Sequence, residues 1–167
     1  MLTSSACHHF RSHPEISNNV PTSNSASHAV SEGVFIEDLR VPAVVEHNAN
    51  ATALLDCVYD LAAREGDLVT VKWSFKDETH LVYQWGKGLP PAGSGILRGR
   101  LDLEHIASRH ALKRHRALII QNPTIELSGN YICKVATKQN VVTGSKKMIV
   151  YGECVGDWSC NRVCLRI

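Results

Sequence analysis

The sequence predicts an all-β domain built as a two-sheet sandwich, and three observations carry that prediction. Short apolar runs alternate with turn residues from residue 35 to 151, the texture of many short strands. One run alternates strictly: Val69, Val71, Trp73 and Phe75 fall on one side, Thr70, Lys72 and Ser74 on the other. That is the period-2 pattern of a half-buried strand. Finally, Cys57 and Cys133 lie 76 positions apart inside this region, with Trp73 between them.

The elements follow in order. Residues 1–34 are rich in Ser, Asn, His and Pro and predict a disordered leader, too poor in apolar groups to offset its ordering entropy. Residues 36–45 predict an edge strand, because Pro42 fits only at an edge or a bulge. Residues 51–58 alternate towards Cys57. Strands are expected at 68–75 and 80–85, then a Gly- and Pro-rich loop at 86–95. Residues 100–105, 116–121, 130–137 and 146–151 supply the rest. Leu101 to Ile120 also admits a basic amphipathic helix, since Ile106, His110 and Lys113 recur near helical spacing. Residues 152–167 predict a short irregular tail with Cys154, Cys160 and Cys164.

In an immunoglobulin sandwich, a cysteine on strand B bonds across the sheets to one on strand F, a tryptophan on strand C packs on the bond, and a tyrosine two residues before the second cysteine bonds back to the upstream chain. Cys57, Trp73, Tyr131 and Cys133 stand in that order, and Tyr131 and Val135 share the side of Cys133. The run Leu127-Ser128-Gly129-Asn130-Tyr131-Ile132-Cys133 is the most specific short signal. The match implies a variable-type immunoglobulin-like domain over residues 35–151 and a Cys57–Cys133 disulfide. Two buried thiols in a cytosolic protein are the alternative that cysteine count alone leaves open.

The runs Cys57-Val58-Tyr59-Asp60-Leu61, Val71-Lys72-Trp73, Val82-Tyr83-Gln84-Trp85 and Leu127 to Cys133 resemble the insect beaten-path family. The resemblance covers about 110 residues, the family's first domain. It implies neuronal recognition in axon guidance, by heterophilic binding to sidestep-type immunoglobulin receptors. The sequence differs in one instructive place: many variable domains carry an aspartate four residues before the corner tyrosine, where this chain has Leu127.

Composition narrows the function classes. A net charge of +2 is too small to imply nucleic-acid binding. No apolar run suggests a signal peptide or a membrane span, so an extracellular reading expects this chain to be a fragment or to lack its true start. No P-loop, dinucleotide fingerprint or nucleophile elbow occurs, so a binding module is expected, with no catalytic residues and no cofactor. Cys154, Cys160 and Cys164 lack a fourth ligand at zinc spacing, and their pairing, with Cys7, stays open. His105, His110 and His115, at intervals of five, share neither a helix face nor a strand face. Asn50-Ala51-Thr52 is a glycosylation sequon. Arg98, Arg100, Arg109, Lys113, Arg114 and Arg116 offer either a weak polyanion patch or a solvated face.

Variable-type domains bind through the outer face of the sheet of strands G, F, C and C′. The residues opposite the core positions are expected there: Lys72 and Ser74 on C, Tyr83 or Trp85 on C′, and Ile132, Lys134 and Ala136 on F. An aromatic centre with a lysine rim would fit a protein partner, or a dimer through the same face. The alternative function is a secreted immunoglobulin-like protein that binds a glycan, lipid or pathogen surface.

Overall fold

The computed structural model of the chain describes residues 33–48, 50–62, 68–153 and 163–164. The expected leader, apart from its last two residues, lies outside them, as do Cys7, Cys154, Cys160 and the side chain of Cys164. The strands are β1 (Val34–Arg40), β2 (Val44–Glu46), β3 (Thr52–Leu61), β4 (Thr70–Phe75), β5 (Leu81–Gly86), β6 (Ala92–Gly93), β7 (Leu101–Asp102), β8 (Ala117–Gln121), β9 (Gly129–Ala136), β10 (Val141–Glu153) and β11 (Val163–Cys164).

They form two sheets. One has the order β1-β3-β8-β7. The other runs β11-β10-β9-β4-β5-β6, with β2 added parallel to β10. In immunoglobulin lettering β3, β4 and β9 are B, C and F, and β5 and β6 are C′ and C″. The pair β5 and β6 on the β4 side marks the variable type.

Alternation builds the core. Ala53, Leu55, Cys57 and Tyr59 of β3 point inward, as do Val71, Trp73 and Phe75 of β4 and Tyr131, Cys133 and Val135 of β9. Cys57 and Cys133 are disulfide-bonded, with Cα atoms 6.3 Å apart, and Trp73 beside Cys133 has no exposed surface. The Tyr131 hydroxyl donates to the Leu127 carbonyl at 2.9 Å, which is the tyrosine-corner bond. Gly129 is required here: a Cβ on it would stand 2.7 Å from the Phe75 ring, which packs on Tyr131.

The edge strand expected at 36–45 breaks in two. β1 pairs with β3, the chain crosses over at Val41-Pro42-Ala43, and β2 joins the opposite sheet. Pro42 sits at the crossover, where no ladder bond asks for its missing N–H. The aspartate absent at position 127 is replaced by its neighbour. Arg100 donates to Thr124 Oγ1 at 2.7 Å and reaches Glu126 at 3.4 Å, while Leu127 is buried.

No helix forms between 101 and 120. Residues 103–116 make a long turn whose carbonyls answer core donors. The Tyr59 hydroxyl donates to Leu112, the Tyr83 hydroxyl to His115 at 2.8 Å, and the Trp73 indole to Arg116 at 3.3 Å. A helix would engage these carbonyls within itself and leave three buried donors unpaired.

Burial pushes the Tyr59, Tyr83 and Tyr131 phenols well above the ordinary tyrosine range. Their folded-state values are raised, so the stability they contribute is complete below pH ~10 and lost as pH rises beyond it. In an alkaline titration followed by phenolate absorbance, these three tyrosines are expected to ionise only with unfolding. Ionisation near pH ~10 with the fold intact would overturn the assignment.

Candidate recognition face

The register of β5, β4, β9 and β10 sets the outward side chains of the larger sheet in rows. Gln84, Lys72, Lys134 and Thr143 stand abreast. To one side lie Leu81, Ser74, Ile132 and Ser145, and to the other Gly86, Thr70, Ala136 and Val141. The structure therefore brings together Lys72, Ser74, Ile132, Lys134 and Ala136, the expected face residues of β4 and β9.

Tyr83 and Trp85 are not on this face. They are 2% and 4% exposed, because β5 turns them inward opposite Trp73 and Val71. Inside, the Tyr83 hydroxyl gains the His115 carbonyl and Trp85 packs edge-on against the His115 ring, 5.6 Å between centroids. Gln84, between Leu81 and Gly86, is the outward residue at the centre of β5. The face thus has an aliphatic and basic character in place of the expected aromatic centre. Ser74 is also largely covered: it is 7% exposed, with its hydroxyl donating to the Glu78 carbonyl at 3.3 Å.

Lys72 and Lys134 form a ridge between two shallow depressions. One is lined by Ser74, Glu78, Leu81 and Ile132 beside the ridge, the other by Thr70, Ala136 and Val141. Glu78 is held over the face by the β4–β5 turn and pairs with Lys134. That turn is fixed by Asp77, whose carboxylate accepts from the Thr79 N–H at 2.9 Å, the Thr79 hydroxyl and His80. The Thr79 hydroxyl and then His80 hold its pKa down to about 2. Sequence reasoning missed Glu78, Leu81, Gln84 and Val141, and only register brings them in.

The basic cluster does not form one patch. Arg100 precedes β7 and Arg116 precedes β8, and the antiparallel β7–β8 pairing sends them to opposite ends of β8. Arg116 is bound to Asp56 and Lys113 to Asp60 at 2.6 Å, which spends their charge within the fold. His115 Nδ1 faces the His105 carbonyl at 2.8 Å, and His110 Nδ1 accepts from the Leu112 N–H at 3.3 Å, so these histidines brace the 103–116 turn. Asn50 is exposed in the turn before β3, and Thr52 of its sequon pairs with Gln121 in the smaller sheet. Among the described residues, no group of three or more His, Cys, Asp and Glu is placed to hold a metal ion.

No protein-family model matches the chain, and no curated protein matches it. Among solved structures it is similar to the human B7-H4 IgV-like domain, with 15% identity over 70% of this chain and 97% of that one and a TM-score of 0.52. The amphioxus IgVJ-C2 molecule is 21% identical over 64% of this chain, with a TM-score of 0.46, and the chain spans 55% of that molecule. Drosophila OTK extracellular domains 3–5 are 17% identical over 71% of this chain and 36% of that one, with a TM-score of 0.49. The likeness to the B7-H4 domain, at that identity, bears on the fold alone, and it agrees with the variable-type immunoglobulin sandwich described above.

Proposed function

We propose that the domain is an extracellular recognition module that binds another immunoglobulin-type protein through the outer face of the β10-β9-β4-β5 sheet. The observation that carries this reading is the face itself, which no other described element covers. Ile132, Leu81, Ala136 and Val141 lie across it, Val141 57% exposed, around two lysines that among the described residues have only Glu78 to answer them. Apolar side chains turned outward on both sides of a charged row favour a protein partner over bulk water. The Cys57–Cys133 disulfide supports an oxidising, extracellular compartment. The resemblance in the sequence motifs narrows the partner to sidestep-type receptors and the setting to axon guidance. Asn50 is then the glycan site, on a turn leading into the smaller sheet, where a glycan leaves the binding face clear.

The test is capture of the chain, secreted from insect cells, by immobilised sidestep-type ectodomains. Ile132→Asp is expected to weaken capture by about tenfold or more while leaving the thermal midpoint within a few degrees. Asn50→Gln is expected to abolish a glycosidase-sensitive mass shift and to leave capture unchanged. Capture indifferent to Ile132→Asp would refute the assignment of the face.

A further inference from the structure

Charge sits in the middle of this face, not on its rim. The row Gln84, Lys72, Lys134, Thr143 runs between the Leu81–Ile132 row and the Ala136–Val141 row. Leu89, 68% exposed, lies beside the outward side of Gly86 and extends the apolar margin. Lys72 and Lys134 are directly opposite each other on neighbouring strands, where like charges repel. Glu78, the carboxylate lining this face, pairs with Lys134, and among the described residues Lys72 has no ion pair.

A partner covering all three rows takes both ammonium groups out of water. Such charges are tolerated only when the partner supplies opposite charge in good geometry. A second copy cannot do so. A two-fold pair sets the same patch against itself, so four lysines would meet two carboxylates that are already engaged. We propose that this face takes a different protein, one that sets carboxylates against Lys72 and Lys134 within an apolar surround, and that it does not close on a second copy of this chain. The proposal rests on the recognition reading above and names the chemistry of its partner.

Two measurements on the full chain test it. Sedimentation velocity reads self-association, and a panel of purified variable-type ectodomains, half with acidic and half with basic faces on the matching sheet, reads partner chemistry. Expected are a monomer, capture confined to acidic-faced members and weakened by salt, and a loss of about tenfold or more in Lys72→Glu. The double variant Lys72→Glu/Lys134→Glu gives up the exposed Lys134–Glu78 pair and is expected to stay folded, its thermal midpoint lower by a few degrees, and to shift its capture to basic-faced members. A wild-type dimer dissolved by Ile132→Asp would overturn the inference, as would capture lost in Ile132→Asp but kept in Lys72→Glu. In both cases the face would still be a recognition surface. Capture by neither half of the panel would also overturn the inference. Retention on an immobilised sulfated glycan, lost in Lys72→Glu and without capture of any ectodomain, would overturn the inference and the recognition reading together.

Discussion

Replacing Cys57 and Cys133 together by alanine is expected to lower the unfolding free energy by about 4 kcal/mol, on the loop-entropy account of a cross-link closing 76 positions. The bond joins β3 of one sheet to β9 of the other, and both sulfurs are fully buried. Without it the unfolded chain regains the freedom of most of the domain's length, and the inter-sheet contact around Trp73 loses its covalent tie. Small domains have about 5–15 kcal/mol in total, so the variant should unfold at far lower urea. Its urea dependence should also steepen, because an uncrosslinked unfolded chain exposes more surface. A loss of under ~1 kcal/mol in equilibrium urea unfolding would contradict this account.

That bond was legible in the sequence because each of its signals is local. Strand alternation put Cys57, Trp73 and Cys133 on inward positions, and the tyrosine corner needs only the five residues from Leu127 to Tyr131. The recognition face was legible by halves. Parity on β4 and β9 follows from Trp73 and Cys133, so Lys72, Ile132, Lys134 and Ala136 fell out as their complement. On β5, parity couples Tyr83 to Trp85 but does not say which way the pair faces. What decides is the 103–116 turn, whose His115 carbonyl and ring meet Tyr83 and Trp85 from inside. That partner lies 32 positions from Tyr83, beyond any local pattern. The lysines read as rim for a related reason: their central place depends on the β4–β9 register, which no single strand encodes. The basic residues from Arg98 to Arg116 cluster in sequence but are parted by a strand pairing.

The ion pair that sequence could not show gives the second large effect. Arg116→Met is expected to cost about 3–5 kcal/mol, because it strands a carboxylate inside the fold. Asp56 lies on the outward side of β3 yet is only 7% exposed, because Arg116 reaches over from the start of β8 and donates two bonds to it, at 2.8 and 3.1 Å. The side chains of the pair retain only 15% and 10% exposure, and a methionine in place of the arginine would still cover the carboxylate. The Asp38–Arg40 pair is the contrast. Its side chains are 48% and 62% exposed, so solvent screens the charges and Arg40→Met should leave the urea midpoint close to that of the wild type. The double variant Asp56→Leu/Arg116→Met removes both charges from the same space and should recover most of the loss, since a buried pair stabilises little against apolar groups of similar volume. The backbone of Arg116 also matters, because its carbonyl accepts the Trp73 indole. Releasing the side chain should loosen the 103–116 turn and speed amide exchange there before it reaches β9. If urea unfolding puts Arg116→Met within ~1 kcal/mol of the wild type, Asp56 has found water and the pair is a surface one. If the double variant falls as far as the single, the site needs the charges themselves. The recovery, more than the loss, separates an unpaired buried carboxylate from lost packing.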